Sequence, residues 1–293
     1  MGKPDPRGWR VCNTLWPVLF LSVGILAAAV EPTPAETDPS NRETVLPGLE
    51  WIRWEGGELC RSGDSGIEVL VADPERFRFQ NFHYVREGET SPLSMTEWHD
   101  RTHAIALFNA GQYYPDYSYM GLLIVDGRPV RSRLHRSFQG LFVAEPTDSQ
   151  APKARILDLL WDRFDAAQPG YLQVAQSFML LDRTGAVRVQ RTDNVANRTV
   201  LAEGHDRRIW VFVTRGGYTL WEFGQLLKAS PFQILQAMCM DGGEESQMLV
   251  SAPGFHYDSV APPQPGEAPA RTASPWIRRP LPTVIGVFPR DGR

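Results

Sequence analysis

Apolar and polar positions alternate in short runs from Leu49 onward, a pattern of strands more than of helices. Trp51, Ile52 and Trp54 open a first strand, residues 67–71 form an apolar run, and Arg76-Phe77-Arg78-Phe79 alternates with the period of a half-buried strand. Ser94-Met95-Thr96-Glu97 has the spacing of a capping box and predicts a short helix over 96–103. Residues 104–108 then read as a buried strand ending at Asn109-Ala110-Gly111. Residues 121–125 read as another, closed by an Asp126-Gly127 turn. Between 154 and 164, Ile156, Leu157, Leu160, Trp161 and Phe164 recur at helical spacing. Segments 178–181 and 186–189 flank Asp182-Arg183-Thr184-Gly185 as a hairpin.

Residues 209–213 are wholly apolar, and Thr219-Leu220-Trp221-Glu222 is a second capping box. It opens a helix with Leu220, Phe223, Leu226 and Leu227 on one face, stopped by Pro231. Residues 236–240 and 283–288 complete the strands. The connections are too irregular for a β-α-β alternation, so the expected class is α+β, a mixed β-sheet core with a few short helices.

The N-terminus changes the picture of where the chain works. Lys3, Arg7 and Arg10 precede an apolar stretch over 15–30 that closes on Ala27, Ala28 and Ala29. This is the layout of a secretory signal peptide, with an uncleaved signal anchor as the rival reading; the stretch is short against the roughly 20 residues of a membrane span. The expected organisation is a signal at 1–30, a polar linker at 31–46, and a folded domain at 47–290 with a Pro-rich loop at 259–275. The protein is expected to be exported, periplasmic or extracellular, and to touch a membrane only through that first segment. Cys12 belongs to the signal, and Cys60 and Cys239 read as free thiols. No Cys/His spacing resembles a zinc site, so no metal or cofactor is assigned, while a divalent cation stays open. The net charge of -4 and the lack of a basic stripe argue against a nucleic-acid partner.

Four short patterns occur in order along the domain: Asn109-Ala110-Gly111, Arg198-Thr199, Gly216-Gly217 leading to Thr219-Leu220 and Glu222, and Asp241-Gly242-Gly243. In order and spacing they resemble the phosphodiester glycosidase domain family over most of residues 49–290. Ala110, Cys239, Glu244 and Glu245 depart from the family pattern, and Ser246 keeps a hydroxyl near its end. The resemblance implies an exported hydrolase that cleaves the glycosidic bond of a sugar-1-phosphodiester. It implies catalytic roles for Asp241 and Arg198, and substrate contacts at Asn109, Gly111, Thr199, Gly242 and Gly243; Glu245, outside the family pattern, is the second candidate carboxyl, as acid or base, on its own chemistry.

The residue types suit that chemistry. Breaking a glycosidic bond needs a carboxylate to stabilise an oxocarbenium-like transition state or activate water, and a group to neutralise the leaving oxygen. A phosphate leaves readily, so an arginine that forks onto its oxygens matters more than an acid. Plainer readings stand beside each residue. Asp before Gly-Gly forms turns, Arg198 reads equally as an ion-pair partner, Asn109 as a turn residue, and Glu222 as a helix cap. Tyr113, Tyr114, Tyr117 and Tyr119 either line a sugar site or simply pack. The alternative function is a non-catalytic binding module for an envelope or secreted polysaccharide, because Glu244 and Glu245 would repel a phosphodiester.

Overall fold

The computed structural model describes residues 41–259 and 279–290. The signal segment 1–30 and residues 260–275 of the Pro-rich loop lie outside the described residues. Strands β1 (Arg42–Leu46), β2 (Leu49–Glu55) and β3 (Gly66–Ala72) run as a meander. The first sheet continues through β12 (Ile209–Thr214), β11 (Thr199–Gly204), β13 (Ile234–Cys239) and β10 (Tyr171–Leu181) to β6 (Leu123–Val125) and β7 (Arg128–Arg131). Strands β8 (Gly140–Pro146) and β9 (Ala154–Asp158) branch from β10. The second sheet has the order β15 (Phe255–Asp258), β14 (Met248–Ala252), β5 (Ala106–Asn109), β16 (Thr283–Pro289) and β4 (Phe77–His83).

The sheets pack face to face. One apolar cluster joins Leu70, Phe142, Leu201, Val211 and Met238 of the first to Phe79, Phe108, Val250 and Ile285 of the second. Each outer face carries one helix. α1 (Met95–Thr102) sets Met95 and Trp98 against Leu107, Leu249 and Val284. α2 (Leu220–Ala229) sets Phe223, Leu226 and Leu227 against Val69, Val71 and Phe212. Burying those three α2 side chains contributes on the order of 5–9 kcal/mol. Because β3 and β12 are covered on both faces, every residue in them is buried, which explains their largely apolar runs, interrupted in β3 by the buried Glu68.

The capping box at α1 forms complete, while of the one expected at α2 only the bond from the Glu222 N–H to Thr219 forms. Ser94 accepts from the Glu97 N–H at 3.3 Å, and the Glu97 carboxylate accepts from the Ser94 N–H at 2.7 Å. At α2, Thr219 accepts from the Glu222 N–H at 3.2 Å, while the Glu222 carboxylate accepts from the Thr219 hydroxyl at 2.8 Å and from Arg61.

Four expectations need correction. The sheets are not mixed: every strand pair among the described residues is antiparallel, and the fold is mostly β, with two short helices. The helix expected over 154–164 is β9 followed by turns. Ala154 and Ile156 face the inter-sheet core and Leu157 the opposite cluster, so adjacent apolar residues imitate helical spacing, and Leu160 and Trp161 end up exposed. The linker expected at 31–46 is already strand from Arg42, because β1 gains its backbone hydrogen bonds along the edge of β2. The 178–189 hairpin is a long strand, β10, with a single return bridge between Leu181 and Val187.

Candidate functional site

The end of β5 in one sheet meets the start of β11 and the end of β13 in the other, and here the sequence patterns gather. Asn109 is 1% exposed and ties them together. Its amide nitrogen donates to the carbonyl of Asp241 at 2.8 Å and to that of Ala110 at 3.3 Å. Its amide oxygen accepts from the Thr199 hydroxyl at 2.7 Å and from the Gln247 N–H at 3.2 Å. The amide is fully engaged within the protein, so Asn109 acts as a brace. Thr199 is equally enclosed, its hydroxyl lying 2.8 Å from that of Ser246.

Asp241 is clamped from the same side, because its N–H donates to the Ala110 carbonyl at 3.0 Å. Its half-buried carboxyl accepts from the Gly242 N–H at 3.0 Å. Burial, reinforced by the charge of Glu245, raises its pKa from 3.8 to about 6 against the pull of that N–H. The Glu245 carboxylate therefore lies near enough to disfavour the ionised form of Asp241. Glu245 is held by the Tyr113 hydroxyl, which donates to it at 3.0 Å. Burial, then Glu245, drive the Tyr113 pKa up, so the phenol stays a donor. Glu244, the other departure from the family pattern, is exposed and paired with Arg279, which offsets its charge.

Two glycines shape the turn. A Cβ on Gly242 would lie 2.7 Å from the Asn197 carbonyl oxygen and 3.4 Å from Arg198 Nη1, so only glycine admits this approach. Gly243 takes φ +75° and donates its N–H to the same Asn197 carbonyl at 2.9 Å. Gly111 sits against the buried Tyr119 hydroxyl, to which its N–H donates at 3.2 Å.

Arg198 is 7% exposed. Its Nε donates to the Tyr218 carbonyl at 2.8 Å and its Nη2 to the Asn194 carbonyl at 2.5 Å. It is not an ion-pair partner for any carboxylate among the described residues, and burial lowers its pKa. A buried guanidinium held by neutral carbonyls keeps its charge available to an anion beside the Asp-Gly-Gly turn.

The eight residues expected from the sequence thus gather around one strand-end junction. Several partners went unread. Gln112 donates to the Met240 carbonyl at 3.1 Å and accepts from Ser177 at 2.8 Å, and Ser177 also donates to the Cys239 carbonyl. A polar residue inside the apolar run of β10 was the only signal for Ser177. Cys239 is a free thiol, as is Cys60, and burial pushes its pKa up to about 12, so it is inert. Glu222 is committed to capping α2 and to Arg61. Among the described residues no helix is long and apolar enough to cross a membrane.

The catalytic domain of zebrafish N-acetylglucosamine-1-phosphodiester alpha-N-acetylglucosaminidase, auto-inhibited by its pro-peptide, has a similar fold. The TM-score is 0.55 at 14% identity, over 85% of this chain and 86% of that one. A protein of solved structure from Synechocystis superposes with a TM-score of 0.53 at 12% identity, over 85% of this chain and 63% of that one. This chain thus spans just under two thirds of the Synechocystis protein. No curated protein matches the sequence. The phosphodiester glycosidase family model matches residues 102–288, from the last residue of α1 into β16 and across every part of the junction. With well over half of its length so matched, the chain belongs to the phosphodiester glycosidase family.

Proposed function

We propose that this chain is an exported hydrolase that cleaves the bond between a sugar C1 and the phosphate of a glycosyl phosphodiester. The observation that carries this reading is the meeting of two neighbouring carboxyls, Asp241 and Glu245, with a buried arginine that has no carboxylate partner among the described residues. Arg198 takes the phosphate oxygens. Asp241, protonated near pH 6, passes its proton to the phosphate oxygen as the C1–O bond breaks. Glu245 takes a proton from the water that adds to C1. The products are a free sugar and a phosphomonoester, and one water is consumed.

Export rests on the basic and apolar pattern of residues 3–30. The zebrafish protein's name points to N-acetylglucosamine as the first sugar to try. The mature chain, incubated with N-acetylglucosamine-1-phosphodiesters, should release free sugar, with kcat/KM declining as pH rises through about 6. Asp241→Asn should lose turnover while its circular dichroism stays native. Undiminished turnover in that variant would end the assignment. The alternative, a binding-only role, rests on the charges of Glu244 and Glu245 and on the tyrosine-rich loop at 113–119; the pairing of Glu244 with Arg279 offsets one of those charges.

A further inference from the structure

Of the four tyrosines that follow β5, three are engaged inside the protein. Tyr113 donates to Glu245 at 3.0 Å. Tyr114 lies under the Arg131 guanidinium, whose carbon is 5.5 Å from the ring centroid. Tyr119 is buried, and its hydroxyl donates to the Gln176 carbonyl at 2.9 Å and accepts from the Gly111 N–H. Tyr117 differs. It is 42% exposed, and its hydroxyl has no hydrogen-bond partner among the described residues. Its one ring contact among them is Tyr113, with centroids 5.8 Å apart.

The backbone singles out the same residue. The Tyr114 N–H donates to the Ser118 carbonyl and the Tyr117 N–H to the Tyr114 carbonyl, both at 2.8 Å, which closes a three-residue hairpin loop of Pro115, Asp116 and Tyr117. The last place in such a loop is left-handed and is ordinarily taken by glycine. Tyr117 holds it at φ +64°, a conformation that crowds any Cβ, and leaves much of its ring in water. Strain that brings so little packing points to a role outside the fold. The base of the loop is fixed to the Asp241 turn, because Gln112 donates to the Met240 carbonyl at 3.1 Å and accepts from Ser177 at 2.8 Å. The Tyr113 hydroxyl, held on Glu245, also lies within electrostatic reach of Asp241 and of the Tyr117 hydroxyl. The exposed ring therefore stands beside the two carboxyls.

We propose that Tyr117 is a sugar platform: its free ring face stacks on the C–H face of a pyranose whose C1 is presented to Asp241 and Glu245. The proposal rests on the hydrolase reading above and adds to it a residue outside all four sequence patterns. A pyranose carries hydroxyls around its edge and C–H groups on its faces. An aromatic face laid on it takes apolar surface of both partners out of water and leaves the hydroxyls to polar groups. A phosphate or an acyclic alcohol offers no such face. Tyr113 does not fill the role, because its hydroxyl is fixed on Glu245 and the Tyr117 ring packs against it.

The test compares wild type with Tyr117→Phe, which keeps the ring, and Tyr117→Asn, which removes it and accepts the left-handed backbone more readily. Methyl N-acetylglucosaminide is titrated by proton NMR, and the methyl ester of N-acetylglucosamine 1-phosphate is the substrate. With wild type and Tyr117→Phe the ring C–H protons of the sugar should shift upfield, the signature of an aromatic face over them. With Tyr117→Asn that shift should vanish, and Kd for the sugar and KM for the ester should each rise about tenfold, what covering roughly 50 Å² of apolar surface is worth. The urea midpoint of Tyr117→Asn should equal or exceed that of wild type. Wild-type Kd and KM in Tyr117→Asn, no upfield shift with wild type, or a urea midpoint well below wild type overturns the platform, and turnover by wild type then leaves the hydrolase reading standing. Sugar binding that depends on the ring, with no turnover, overturns the hydrolase reading and leaves the platform.

Discussion

Replacing Asp241 with asparagine should make the protein more stable at neutral pH while making it inactive. The carboxyl has an ordinary pKa of 3.8 in the unfolded chain and about 6 in the fold. Below about pH 4 it is protonated in both states and contributes no difference. Between 4 and 6 the unfolded chain ionises it freely, whereas the native state resists, so native stability falls as pH rises. Above 6 the native state bears the full penalty. At about 1.4 kcal/mol per pH unit, the gap between the two pKa values is worth about 3 kcal/mol at pH 8, shrinking below about 1 kcal/mol at pH 4. Asparagine removes the buried charge and its repulsion with Glu245. It keeps an oxygen for the Gly242 N–H that Asp241 now accepts at 3.0 Å. Urea titrations of both proteins at pH 4, 6 and 8 measure the effect. With a slope of about 3 kcal/mol per molar urea, the midpoint of Asp241→Asn should exceed wild type by about 1 M at pH 8 and converge on it at pH 4. A variant no more stable at pH 8, or a gap that does not vary with pH, would refute the coupling of Asp241 to its buried setting.

Three further changes probe the junction. Asn109→Ala would strip partners from the Asp241 carbonyl, the Thr199 hydroxyl and the Gln247 N–H. At about 1–3 kcal/mol per orphaned buried group it should cost about 3–5 kcal/mol in urea titration, and a loss below about 1 kcal/mol would contradict the bracing role. Gly242→Ala places a methyl 2.7 Å from the rigid Asn197 carbonyl. It should lower kcat sharply and stability by about 1–3 kcal/mol, the usual range for overpacking, and a wild-type kcat would show that the turn yields freely. Tyr113→Phe removes the hydroxyl that donates to Glu245 at 3.0 Å. Loss of a hydrogen bond to a charged group should lower kcat/KM about 10- to 100-fold, and an unchanged value would take Glu245 out of the scheme.

Interactions of short reach along the chain were legible in the sequence. The Ser94–Glu97 cap, the Thr219 cap and the largely apolar runs of β3 and β12 all form as local spacing and hydrophobicity require. The ordered patterns around Asn109, Arg198 and Asp241 were legible for another reason: close backbone approach and strand-end turns admit few residue types, as Gly242 against the Asn197 carbonyl shows. The tertiary structure alone decided the rest. Segment 154–158 is a strand because β8 pairs with it, and periodicity cannot separate a strand buried on both faces from a helix. Asn109 is a brace because Asp241, 132 residues away, and Thr199, 90 residues away, claim its amide. Glu244 loses its repulsive charge to Arg279, 35 residues on, across the Pro-rich segment. A buried polar group must find partners somewhere, and when strand pairing brings those partners from distant parts of the chain, no local pattern can name them.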